Sequence, residues 1–261
     1  MKRLLAFLVL LSAVLHAEPL KVLGIGNSFT DSLRRYLPQV VASVEGCEID
    51  MQMAIIGGSD FNHHLDMMNA FEKDGKSRPY PGRKSLKELL ESKQWDVVTL
   101  QQHSDPGRVW RFDNRLEPAG SIVLAFVRKE CPNAKIMLQQ TWAYREEHPN
   151  YAKYWHITPL QMHGQLRQAQ RAFAERHQLY LIPTGDAVEL ARRKMNVICD
   201  DYHHLGANGQ YLQACLWMAC LFNRSPLEVK YVPQEIPAEN AAALRAIADD
   251  VWRAVKSEHR L

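Results

Sequence analysis

No stretch of the 261 residues is long and apolar enough to span a membrane. The nearest candidate, residues 4–15, falls short of the roughly 20 residues a spanning helix needs. Charge of one sign is lacking too. The formal net charge is +3, and +1 once Lys2 and Arg3 of the N-terminal leader are taken off. A chain so near neutrality offers no electrostatic footprint for nucleic acid or an anionic membrane surface. Cysteine is scarce and odd in number: Cys47, Cys131, Cys199, Cys215 and Cys220. At least one must stay unpaired or bond between chains. Buried thiols are the plain expectation, with room for a disulfide in an oxidising compartment. No close pair has zinc-site spacing. Gly24-Ile25-Gly26 lacks the third glycine of a dinucleotide fingerprint, and Asp50 stands inside a predicted strand. Repeats, linkers and low-complexity tracts are missing, which leaves one domain.

What is present begins with a leader. Lys2 and Arg3 are basic, residues 4–15 are apolar, and Leu15-His16-Ala17 is a small-residue exit. Residues 1–17 are expected to be a signal peptide cleaved after Ala17, which makes the protein exported, periplasmic or secreted. No cysteine stands at that exit for a lipid anchor, so no stable membrane insertion is expected after cleavage. Residues 18–261 are then a single domain. Apolar content of 46% with 23% charged residues is enough for a sizeable core.

Apolar runs predict strands over 20–25, 47–55, 95–101, 134–140 and 179–182. Helical spacing predicts helices over 32–44, 85–90, 118–127, 163–176, 187–193, 210–222 and 239–255. Residues 59–82 read as an irregular loop or lid over the site. Strands alternating with helices argue for an α/β fold, a parallel sheet covered on both faces. Trp110, Trp142 and Trp155 follow predicted strand ends. Stacking on a sugar and a hydrophobic cluster beneath long loops fit them equally.

Ser28 follows the first strand and its glycine turn, at the carboxyl edge where open α/β sheets place their sites. A serine nucleophile needs a base within hydrogen-bond reach, an orienter for that base, and donors aimed at the developing oxyanion. The candidate base lies in Asp200-Asp201-Tyr202-His203-His204-Leu205-Gly206-Ala207-Asn208-Gly209. Aspartate and histidine three positions apart can share one turn. Two registers offer that spacing, Asp201 with His204 and Asp200 with His203.

Gly26-Asn27-Ser28-Phe29, Gly57-Gly58, Gln101-Gln102 and Asp201-Tyr202-His203-His204 with Gly209 together resemble the SGNH, or GDSL-like, hydrolase superfamily. More narrowly they resemble a bacterial DUF4886-like subgroup that opens on the same nucleophile turn. The resemblance spans roughly residues 20–225. It implies a flavodoxin-like three-layer α/β/α sandwich on a five-stranded parallel sheet, hydrolysing esters, often acetyl esters of carbohydrates. It implies Ser28 as nucleophile, His204 as base and Asp201 as its orienter, because Gly209 stands five positions after His204. For the oxyanion hole it implies the Ser28 N–H and a glycine N–H, taken as Gly58 with Gly57 as alternative. The third donor departs from the usual Gly-x-Asn pattern. Gln102 is the expected replacement, with Gln101 the alternative.

The expected function is a serine hydrolase acting through an acyl-enzyme on an O-acyl, most simply O-acetyl, ester of a carbohydrate. Trp142, Tyr144, Trp110 and His64 are the expected substrate contacts. No cofactor and no metal are called for, and the partner is a small-molecule or oligosaccharide ester. His63-His64 with His203-His204 lacks compelling ligand spacing. The alternatives are a noncatalytic carbohydrate-binding protein on a degenerate hydrolase fold, and a lipase or thioesterase of the same fold. Asn27 is open between bracing the nucleophile turn and bonding near the second acidic loop.

Overall fold

A computed structural model describes residues 18–105 and 116–259. Five strands form one parallel sheet in the order β2-β1-β3-β4-β5: β1 Leu20–Gly26, β2 Ile49–Ile55, β3 Val97–Gln101, β4 Lys135–Gln139 and β5 Tyr180–Ile182. The helices, in chain order, are α1 Ser28–Asp31, α2 Leu37–Ala42, α3 Phe61–Asp74, α4 Leu86–Leu90, α5 Ala119–Glu130, α6 Pro159–Arg176, α7 Thr184–Ala191, α8 Ala207–Phe222 and α9 Ala238–His259.

The strands are buried on both sides because their side chains alternate between two cores. Val22, Val97, Met137 and Ile182 join the cluster that includes α2, α7, α8 and α9. Leu23, Ile25, Val98, Leu100, Leu138 and Leu181 join the cluster beneath α3, α4 and α5. Helix α6 reaches both, through Leu166 on one side and Phe173 on the other. The result is the expected three-layer sandwich. β1 lies between β2 and β3. The chain therefore leaves β1 to one side and returns to the other, and the carboxyl ends of β1 and β3 open a crevice.

One stretch departs from expectation. Residues 59–82 hold the 14-residue helix α3 in place of an irregular loop. Asp60 caps it by accepting the His63 N–H, and Gly75, at φ +66°, closes it. Its buried stripe is Phe61, His64 and Met68. The polar member of that stripe hides the helical period from a reading of hydrophobicity alone. The predicted 32–44 helix also breaks, at Tyr36, into a 3₁₀ turn Ser32–Arg35 and α2.

All five cysteines are free thiols. Among the described residues, no helix is long and apolar enough to cross a membrane. The predicted signal peptide lies outside the described residues.

Candidate active site

β1 ends at Gly26, and the chain turns through Asn27 into α1, which begins at Ser28. Asn27 caps that turn. Its Oδ1 accepts the Phe29 N–H at 2.9 Å, and its Nδ2 donates to the Ser59 carbonyl at 2.8 Å. Asn27 therefore braces the serine turn and ties it to the turn after β2. Gln101, at the end of β3, supports it from the other side. Its Oε1 accepts the Asn27 N–H and the Thr30 hydroxyl, each at 3.0 Å. A Cβ on Gly26 would stand 2.5 Å from that oxygen, so only glycine admits the glutamine here. Gln213 of α8 donates to the Phe29 carbonyl at 2.8 Å and accepts the Ser32 hydroxyl at 2.6 Å. Sequence reasoning passed over Gln213. A lone amide in the apolar run of α8 is the signal that could have found it.

The second half of the site is the 197–205 loop. It closes on itself through Cys199 N–H to the His204 carbonyl at 2.7 Å and Tyr202 N–H to the Cys199 carbonyl at 3.0 Å. Tyr202 sits at φ +72°, a left-handed conformation uncommon for a bulky residue. Asp201 Oδ1 accepts the His203 and His204 N–H groups at 3.1 and 3.0 Å, which pins the turn. Asp201 Oδ2 lies 2.7 Å from His204 Nδ1, and His204 Nε2 lies 2.8 Å from Ser28 Oγ. A carboxylate only accepts, so the His204 proton sits on Nδ1, and Nε2 is left to accept from the serine.

Partial burial pushes the Asp201 carboxyl up. The His204 N–H, the His204 ring and the His203 N–H outweigh burial and bring it down to about 2. It is therefore ionised at neutral pH.

The structure brings Ser28, His204 and Asp201 into one hydrogen-bonded row. Asp200 is engaged elsewhere, accepting from Arg145 at 3.0 Å. Gly58 lies in the exposed turn after β2, at φ +64°, closed by Ser59 N–H to the Ile56 carbonyl at 3.1 Å. The Ser28 N–H has no acceptor among the described residues.

Five expected positions are buried or lie outside the described residues. Gln102 is 1% exposed, and its Oε1 accepts the Phe61 N–H at 3.1 Å and the His103 N–H at 2.8 Å. That oxygen braces the junction of β3 and α3. Gln101, the alternative, is held by the Ser28 turn and donates to the Gln102 carbonyl at 2.5 Å. Trp142 is fully buried, stacks on Phe29 at 4.2 Å between centroids, and donates its Nε1–H to the His203 carbonyl at 2.8 Å. It supports the histidine loop from beneath and presents no face to a sugar. Tyr144 is buried beside it. His64 is also fully buried, with Nε2 3.0 Å from Ser59 Oγ and Nδ1 2.8 Å from Tyr80 Oη. It cannot touch substrate. Trp110 lies outside the described residues.

Asp201, His203 and His204 each bring one potential ligand atom within 4.8 Å of the others, a grouping of metal-ligating type. In the protein His204 bonds the Asp201 carboxylate through Nδ1 and Ser28 through Nε2, and His203 Nδ1 bonds the Asp201 backbone carbonyl.

The sequence profile described as "Domain of unknown function (DUF4886)" matches residues 21–251. No curated protein sequence matches. Solved structures do. A DUF4886 family protein from Bacteroides uniformis superposes with a TM-score of 0.77 at 23% identity, covering 90% of this chain and 95% of the other. A candidate SGNH hydrolase from Slackia heliotrinireducens gives 0.55 at 18%, covering 78% and 99%. A catalytic mutant of an acetylxylan esterase from Geobacillus stearothermophilus gives 0.52 at 16%, covering 77% and 93%. At these identities the likeness is one of fold, the SGNH hydrolase fold.

Proposed function

The chain belongs to the DUF4886 family, and from that premise we propose that it is a serine esterase of the SGNH type, exported through its leader. The observation that carries the proposal is the 2.8 Å contact between Ser28 Oγ and His204 Nε2, residues 176 positions apart. His204 Nε2 takes the Ser28 proton as Oγ attacks the ester carbonyl carbon. Asp201 holds the imidazole in the required tautomer and stabilises the imidazolium that forms. The Ser28 N–H, at the start of α1, and the Gly58 N–H receive the oxyanion. The tetrahedral intermediate collapses, the C–O bond to the alcohol breaks, and the alcohol leaves with the proton from His204. Water then attacks the acyl-enzyme by the same route and frees Ser28. No step calls for a metal or cofactor.

The substrate proposed is an O-acyl, most simply O-acetyl, ester of a carbohydrate. The acetylxylan esterase that shares the fold supports that choice, as do the aromatic and imidazole rings that run outward from His204. The test is a panel of acetylated sugars and simple alkyl and aryl esters offered to the wild type and to Ser28→Ala. Loss of about a thousandfold or more in kcat/KM is expected. Equal activity in the two proteins would sink the assignment.

A further inference from the structure

A file of rings leads away from the candidate nucleophile. His203 packs beside His204 at 4.2 Å between centroids. His148 follows at 6.5 Å from His203 and stacks on Trp155 at 5.0 Å, with 13° between the planes. Tyr144 forms the floor, 5.5 Å from His203, 5.1 Å from His148 and 5.7 Å from Trp155. Tyr144 is buried, whereas His203, His148 and Trp155 are each partly open to solvent. Trp155 ends a π-helical turn, Tyr151–Trp155, closed by the His156 N–H reaching the Tyr151 carbonyl at 2.8 Å. Single π turns of this sort recur at functional sites.

The polar edges of these rings are fixed by their neighbours. His148 Nδ1 accepts the Asn150 N–H at 3.2 Å, so the neutral ring carries its proton on Nε2. His203 Nδ1 stands 2.7 Å from the Asp201 carbonyl, which only accepts, so the proton is on Nδ1 and Nε2 is an acceptor. Burial is the main cause that pushes the His148 ring below its ordinary pKa; His203 adds to it and Asp105 opposes it. Arg145, the nearby cation on the same segment, is tied to Glu147 and Asp200. The row thus offers one N–H donor, one nitrogen acceptor and an indole edge. A hydroxyl both donates and accepts, so this set matches neighbouring hydroxyls on a ring with an apolar face.

We propose that His203, His148 and Trp155 form the alcohol-side subsite, which receives a neutral pyranose ring of the substrate and leads its ester to Ser28. Trp142 and Tyr144, expected from sequence to touch the sugar, are instead the support beneath this row. The assignment of the sugar as leaving alcohol rests on the serine-esterase proposal above. Occupation of the subsite by a sugar does not.

The experiment has two arms on the full-length protein. In the first, Ser28→Ala protein is titrated with xylobiose by calorimetry, alone and with Trp155→Ala, Trp155→Phe or His148→Ala added. Saturable binding is expected, weakened about tenfold by either alanine and largely kept by phenylalanine. In the second, kcat/KM is measured on a methyl xyloside acetate and on ethyl acetate in the Ser28 background. Each alanine should lower the sugar ester about tenfold more than ethyl acetate, chiefly through KM. Tyr154→Ala, an exposed neighbour off the row, is the control. Absence of sugar binding to the Ser28→Ala protein, or equal losses on both esters, overturns the subsite. Sugar binding that depends on Trp155 in a protein hydrolysing neither ester would keep the subsite and overturn the esterase.

Discussion

Gln101 Oε1 receives both the Asn27 N–H and the Thr30 hydroxyl, and so joins the end of β3 to the turn that carries Ser28. Both donors are buried. Gln101→Ala leaves each without its acceptor, at about 1–3 kcal/mol apiece. Stability measured by urea unfolding should fall by about 2–4 kcal/mol. Because the turn loosens, kcat should fall at least about tenfold at temperatures where the variant is still folded. Unchanged kcat in a folded variant would show that Gln101 is only a core amide.

Gly209 acts at the other half of the site. A Cβ there would lie 2.2 Å from the Val197 carbonyl oxygen, a backbone atom that also accepts the Gly206 N–H at 3.0 Å. Backbone cannot swing aside as a flexible side chain does. Gly209→Ala should therefore displace the 197–205 loop or the start of α8, at about 1–3 kcal/mol, and carry His204 away from Ser28. Thermal unfolding and esterase assays on the same sample check this. Full activity with an unchanged melting temperature would contradict the close approach.

Trp142 and Trp155 make a matched contrast. Trp142 is sealed between Phe29 and the His203 carbonyl. Trp142→Ala should cost about 3–5 kcal/mol and depress hydrolysis of every ester alike, since it undermines both Phe29, the neighbour of Ser28, and the histidine loop. Trp155 substitutions should instead separate sugar esters from simple ones. Parallel kinetics on the two ester types distinguish support from contact.

These contrasts show what could be read from the chain. The strands were legible because β-branched and aliphatic residues crowd positions that face two cores. The Asp-x-x-His spacing was legible because it is local and chemically specific, but it fits Asp200–His203 as well, and the choice of Asp201–His204 rested on the resemblance, through Gly209. Gln101 against Gln102 was not legible. Successive residues at a strand end face opposite ways, and an amide can brace or donate equally well. Trp142, Tyr144 and Trp155 share one composition and one loop, and only packing decides which ring is a floor and which a face. α3 was lost because its buried stripe includes a histidine whose partners, Ser59 and Tyr80, come from other segments.

That histidine gives the protein a pH-dependent stability. His64 is sealed from solvent, and its ring is pushed down to about 4, chiefly by burial, with Asp60 opposing and His63 assisting. In the unfolded chain its pKa is near 6.5. The folded value is the lower one, so between about pH 6.5 and 4 the unfolded state binds a proton that the folded state refuses. Stability from His64 is fully present above pH 6.5 and is lost as pH falls toward 4, by an amount on the order of 3 kcal/mol. His148 and His163, also lowered by burial, add smaller slopes of the same sign. Urea unfolding at pH 7.5 and pH 5 should show the wild type clearly weaker at the lower pH. His64→Gln should be less stable at pH 7.5, because its amide cannot reproduce both bonds to Ser59 and Tyr80, yet lose less on acidification. An identical pH slope in the variant and the wild type would mean that His64 does not titrate on unfolding.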